Sequence, residues 1–88
     1  MTKAEIVAGL RHFICTELLT RPAYPLGDDE PLLTSGLIDS FALAHVAVYV
    51  ETAFGIYVPD VELTAEDVDT IDRIATLILA VGRRTDGS

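Results

Sequence analysis

The sequence predicts an all-α domain, and three observations carry that expectation. Apolar residues recur three or four positions apart in three separate stretches, the spacing of one helix face. Helix-opening chemistry stands ahead of each: Thr2, the Asp39-Ser40 pair and Asp69-Thr70. No alternating apolar and polar pattern calls for a sheet, and there are no internal repeats.

Each element has its own warrant. Thr2-Lys3-Ala4-Glu5 has capping-box spacing, in which Thr2 caps and Glu5 reaches back. Ile6, Leu10, Phe13, Ile14 and Leu18 follow on one face, so a first helix is expected over about residues 3–19. Arg21-Pro22 stops it, because the residue before a proline disfavours the α region. A loop then runs over about residues 20–38, rich in Pro and Gly and carrying the run Asp28-Asp29-Glu30. Loops of that length are uncommon in compact domains and often functional. Leu26, Leu32, Leu33, Leu37 and Ile38 are spaced to pin it across the helices.

The stretch Ser40 to Phe54 contains no Gly or Pro and reads as a second helix, closed by Gly55 in the left-handed conformation. Ile56 to Asp60 is extended in character, and Thr64 opens a short third helix over about residues 64–68. The last helix is expected over about residues 70–81, with Ile71, Ile74, Ala75, Ile78 and Val81 as its buried stripe. Residues 83–88 hold no apolar side chain and read as a flexible tail behind a domain of residues 1–82.

At 88 residues the chain is one domain with a modest core. Half of its residues are apolar, which fits a globular fold rather than disorder. No apolar run approaches the roughly 20 residues of a membrane span. The N-terminus lacks the apolar core of a signal peptide, so a cytoplasmic protein is expected. Cys15 stands alone, which excludes an intramolecular disulfide and a cysteine metal cluster. Fourteen acidic side chains against six basic ones leave a net charge of −8. Such a surface repels nucleic acid and anionic lipid and is drawn to basic patches on other proteins.

Leu37-Ile38-Asp39-Ser40-Phe41 is the most informative segment. It sets an acid and a serine where a turn-rich loop becomes a helix. A hydroxyl there stands among free N–H groups at the positive end of the macrodipole, a place suited to holding a phosphate. Along the helix, Leu43, Val46, Ala47, Val50 and Phe54 form a core stripe. Phe41, Ala44, His45 and Val48 form a second, largely apolar stripe beside it, followed by the polar Glu51 and Thr52. Two readings of that stripe stand open: a central helix packed on several sides, or an exposed docking surface beside Ser40.

The stretch Gly36-Leu37-Ile38-Asp39-Ser40-Phe41-Ala42-Leu43, with Phe54-Gly55-Ile56-Tyr57-Val58-Pro59-Asp60 behind the helix, resembles the acyl and peptidyl carrier proteins. The likeness covers roughly residues 3–82. It implies a four-helix bundle with a long first loop and a short third helix, free-standing and monomeric. It also implies that Ser40 is the attachment point of 4′-phosphopantetheine, installed from coenzyme A by a phosphopantetheinyl transferase. By the same likeness Asp39 helps the transferase recognise the site. The chain would then be no enzyme: it would hold an acyl or aminoacyl group as a thioester and shuttle it between biosynthetic enzymes. Its partners would be a loading ligase or transferase and downstream synthase or tailoring enzymes, met through Phe41, Ala44, His45, Val48 and Glu51.

The chain departs from the fatty acid carriers, which place acids along helix two. Ala42, His45 and Thr52 stand at the corresponding positions, while acids gather in Asp28-Asp29-Glu30 and between Asp60 and Asp72. This favours a specialised polyketide or nonribosomal-type pathway and largely apolar docking. A rival reading is an unmodified acidic interaction module. A hydrolase using Ser40 with His45 fits poorly, since residues five apart lie about 140° round a helix. His45 serves as a solvent-facing spacer or tunes docking with pH. His12 belongs on the outside of helix one, Cys15 near its core, and Tyr24, Tyr49 and Tyr57 read as packing residues.

Overall fold

The computed structural model describes residues 2–59 and 68–86, and it is all-helical, with no strand among the described residues. Helix α1 spans Lys3–Phe13, α2 spans Ser40–Phe54 and α3 spans Ile71–Asp86. The expected short helix at about 64–68 lies outside the described residues except for Val68, which is buried.

The capping box forms as its spacing requires. The Thr2 hydroxyl accepts from the Glu5 N–H at 3.2 Å, and the Thr2 N–H donates to the Glu5 carboxylate at 3.0 Å. The Thr2 N–H, and after it the Thr2 hydroxyl, which donates to the same carboxylate at 3.1 Å, hold the Glu5 carboxyl below its usual range. Ile6, Leu10 and Ile14 are fully buried, and Phe13 and Leu18 pack against the core from its edge.

The first helix departs from a regular α-helix at its end. Residues Ile14–Leu18 form a π turn, in which the Leu19 N–H reaches back to Ile14 O at 2.8 Å. Arg21 N–H then closes on Cys15 O at 2.7 Å, one residue wider than the usual Schellman closure. Between them Thr20 takes φ 52, which makes it the one non-glycine residue with positive φ among those described. Five residues are too few for a π turn to alter apolar spacing, so the pattern alone reads as continuous helix.

Helix α2 ends where Gly55 adopts φ 71 and donates to Glu51 O at 3.0 Å. Leu43, Val46 and Val50 are buried, with Ala47 and Phe54 half-buried beside them. Gly9 of α1 admits α2 at close range: a Cβ there would lie 2.7 Å from the Tyr49 hydroxyl and 3.1 Å from the Phe54 ring. The Tyr49 ring in turn stacks on Phe13, centroids 4.4 Å apart, and meets Phe54 edge-on at 5.7 Å.

The Thr70 hydroxyl accepts from Arg73 N–H at 3.1 Å and opens α3. All five stripe residues, Ile71, Ile74, Ala75, Ile78 and Val81, are buried. The helix runs on through Asp86, so residues 83–86 continue it where a tail was expected from their lack of apolar groups. No proline blocks it, and Gly82 alone costs only about 1 kcal/mol relative to alanine. Tyr57 also differs from expectation. It stands 64% exposed, because Val58 and not Tyr57 turns inward after α2.

A β-branched residue in the left-handed region carries strain of about 1 kcal/mol or more. Thr20→Asn should therefore raise stability by about 1 kcal/mol and Tm by roughly 4–8 °C. Thermal melts followed by circular dichroism would check this. An unchanged or lower Tm would mean that the bond from the Thr20 hydroxyl to Leu19 O outweighs the strain.

The Asp39-Ser40 junction as candidate functional site

The long loop reaches the start of α2 along a fixed path. Leu26, Leu32 and Ile38 are buried and Leu33 and Leu37 half-buried, so the apolar residues of the loop do pin it. The α1 side holds its first part: Arg11 Nε donates to Leu26 O at 3.0 Å, and the guanidinium pairs with Asp28. The α3 side holds its centre. Leu32 N–H donates to Asp69 O at 2.6 Å, while Leu33 and Thr34 N–H donate to Asp69 Oδ1 at 2.8 and 3.0 Å. The Thr34 hydroxyl completes the set on Asp69 Oδ2 at 2.8 Å.

Asp69 is a residue that sequence reasoning placed only as a helix opener. Its carboxyl is held below the usual aspartate range, first by the Thr34 N–H, then by the Thr34 hydroxyl, with Leu33 and Leu32 N–H adding to them and partial burial opposing. No sequence signal marks a pairing across 35 residues.

Beyond this anchor, Gly36 turns the chain at φ 78, and Ile38 N–H returns to Leu32 O at 3.0 Å. That bond delivers Asp39 in an extended conformation, φ −110 and ψ −179. Its Oδ1 accepts from the Ala42 N–H at 2.9 Å, so Asp39 is the cap of α2 and Ser40 its first residue. The Ser40 side chain is exposed and is not used in capping.

Phe41 is 80% and Val48 65% exposed, and Ala44, His45 and Glu51 are exposed with them. Of the two readings of the second stripe, the exposed face is the one observed. His45 belongs to that face; among the described residues no hydrogen bond joins it to Ser40. His12 is exposed on α1, and Cys15 is buried, its thiol near Tyr24 O at 3.6 Å.

Among the described residues one open recess adjoins the junction and a second lies further along α2. One of about 350 Å³ is bounded by Asp39, Phe41, Ala42, Leu37, His45 and Leu18. The other, of about 510 Å³, is bounded by His12, Phe13, Glu17 and Leu18 from the first helix and its π turn and by His45 and Tyr49 from α2. Leu18 and His45 belong to both. Neither recess was foreseen: the π turn that sets Leu18, and the stacking of Phe13 on Tyr49, leave no mark in apolar spacing.

No protein-family profile and no curated protein sequence matches the chain. Among the described residues, no helix is long and apolar enough to cross a membrane, and no three His, Cys, Asp or Glu residues cluster to hold a metal ion.

The depressed Asp69 carboxyl fixes a sign for pH dependence. The stabilisation is complete above the unfolded-state pKa and is lost as pH falls through the lower folded-state value. The stability gap between the native chain and Asp69→Asn should thus be constant from about pH 5 to 7 and close as pH falls below about 4. Urea titrations at several pH values would measure it, and a gap independent of pH would remove the ionic character from this anchor.

The exposure of the α2 face is testable too. Phe41→Ala and Val48→Ala should each change unfolding free energy by less than about 0.5 kcal/mol. A loss of about 3 kcal/mol, the scale of a buried phenylalanine, would place Phe41 in the core instead.

Proposed function

We propose that this chain is a carrier domain of the acyl and peptidyl carrier type, with the four-helix arrangement of that family. Its 4′-phosphopantetheine arm would sit on Ser40. The observation behind the reading is the division of labour at the junction: Asp39 caps the helix, which leaves the Ser40 hydroxyl exposed on its first residue.

The residues present fit such an arm. A phosphodiester on Ser40 would stand at the positive end of a 15-residue helix, with no other acid in its first turn. The recess beside Asp39 and Phe41 leaves room at the attachment point. When bound, the arm supplies a thiol that carries cargo as a thioester. The protein's own residues present the serine, cap the helix that carries it, and offer the face on which an enzyme docks. Among the described residues no side chain is hydrogen-bonded to the Ser40 hydroxyl, which suits a reaction whose chemistry the installing transferase supplies, with Asp39 helping it recognise the site.

The exposed face of Phe41, Ala44, His45 and Val48, with Glu51 at its far end, suits brief docking. A carrier must leave one enzyme for the next, and a small apolar patch within an acidic surface favours weak, partly steered encounters. The loading ligase or transferase and the downstream synthase or tailoring enzymes would share it. The apolar character of the face favours a specialised pathway.

The same exposed face also favours a second reading, a docking module that is never modified. One experiment separates the two. Purified protein incubated with coenzyme A, magnesium and a broad-specificity phosphopantetheinyl transferase should gain the mass of one phosphopantetheine, and Ser40→Ala should gain none. Folded protein that stays at its original mass would leave the docking module standing.

A further inference from the structure

The last bends before Ser40 are closed mostly by the loop's own bonds. Gly36 N–H donates to Leu33 O at 3.0 Å, Ile38 N–H to Leu32 O at 3.0 Å, and Leu37 N–H to the Ser35 hydroxyl at 3.3 Å. The N–H groups that open the turn go elsewhere. Leu33 and Thr34 both donate to Asp69 Oδ1, and the Thr34 hydroxyl donates to Oδ2 at 2.8 Å. A carboxylate that accepts two consecutive N–H groups at the start of a turn acts as a helix cap does within its own segment. Asp39 caps α2 from the residue before it, and Asp69 caps this turn from across the fold.

The carboxylate acts on a limited stretch. Leu32 N–H is held by the Asp69 carbonyl, a bond that any residue at position 69 retains, and the Leu32 and Ile38 side chains are buried. Loss of the carboxylate therefore leaves residues 32 and 38 anchored and loosens residues 33–37 between them. That stretch reaches the candidate site: Gly36 and Leu37 bound the recess beside the serine, together with Asp39, Phe41 and Ala42. A wall that is already ordered costs little to immobilise when a complex forms, whereas a loose one is ordered at the expense of kcat/KM.

We propose that Asp69 is a positioning residue for the modification of Ser40, its carboxylate bracing the loop wall that a phosphopantetheinyl transferase meets beside the serine. This rests on the carrier reading and extends it to a residue outside the junction. In that reaction the Ser40 oxygen bonds to the phosphorus bearing pantetheine and a phosphoanhydride bond of coenzyme A breaks. Adenosine bisphosphate leaves, and the serine proton passes to the transferase.

The test measures kcat/KM of a broad-specificity transferase with the full chain as the varied substrate and with coenzyme A and magnesium in excess. Circular dichroism and urea titration first establish that each variant is folded under assay conditions. Asp69→Ala should lower kcat/KM about threefold or more. Asp69→Asn, whose amide oxygen still accepts both N–H groups, should stay near the native value. Thr70→Ala, which removes the neighbouring cap of α3 and leaves the turn alone, should stay there too. Amide exchange at Gly36 and Leu37 should quicken in Asp69→Ala and not in Thr70→Ala. If Asp69→Ala does not fold, Asp69→Ser, with a single and shorter acceptor, replaces it and should lose about twofold or more. A native kcat/KM in that variant would overturn the proposal. So would an equal loss in Thr70→Ala, which traces the effect to α3, or in Asp69→Asn, which traces it to the charge. Each of these outcomes leaves the carrier reading standing, whereas a native chain that gains no arm would overturn both.

Discussion

Asp69 takes four hydrogen bonds from Leu32, Leu33 and Thr34, one on its carbonyl and three on its carboxylate, and they fix the base from which the chain turns toward Ser40. The loop between α1 and α2 has no regular structure to direct it, so its register is set at a few crossings: this one for its centre, and Arg11 on Leu26 O with Asp72 N–H on Asp28 O for the part before it. Each bond is worth only about 0.5–1.5 kcal/mol net. Burying Leu32 or Ile38 is worth about 1.5–3 kcal/mol. Burial therefore holds the loop down, and the polar contacts decide which residue lies where. Leu32 is the hinge between the two effects: its side chain is in the core, its N–H is on Asp69, and its carbonyl receives Ile38.

The junction at Asp39 resolves a conflict that a serine at a helix start usually settles the other way. Serine is a favoured cap, and a capping hydroxyl is engaged with the backbone. Placing the acid one residue earlier satisfies the Ala42 N–H and complements the helix dipole, while the hydroxyl is left outside that bond. The Phe41 side chain next to it buries little surface, being 80% exposed. An apolar face of this kind beside an exposed serine sets α2 apart from a covering helix, whose outer face is ordinarily polar.

How much of this could be read from the sequence depended on whether the information was local. The capping box at Thr2 and Glu5, the left-handed Gly55 and the α3 stripe each lie within a few residues, and each is present as expected. The second stripe of α2 was ambiguous for a physical reason: an apolar face has the same composition whether it meets a core or a partner. The π turn was invisible because i−5 bonds over five residues leave apolar spacing unchanged. Tyr57 was misread because an extended segment alternates sides, and only the packing of Val58 fixes which side is inward. The Asp69 anchor and the recesses at Leu18 join residues far apart in the chain, and composition holds no trace of either.

The acidic run in the loop illustrates the same limit from the side of charge. By composition, Asp28-Asp29-Glu30 was a cluster available to attract a basic partner. In the fold, Asp28 pairs with Arg11, and Glu30 accepts from the Tyr24 hydroxyl at 2.7 Å, which raises the tyrosine's pKa. Two of the three acids are thus engaged in holding the loop, and only part of the run's field faces outward. Exposed pairs contribute little stability, but they do spend charge that would otherwise steer association. The net charge of −8 still sets a diffuse attraction toward basic surfaces, and it screens within about 8 Å at physiological salt. At contact distance, therefore, the exposed apolar face of α2 is the more specific feature of this surface, and the acidity of the chain the more diffuse one.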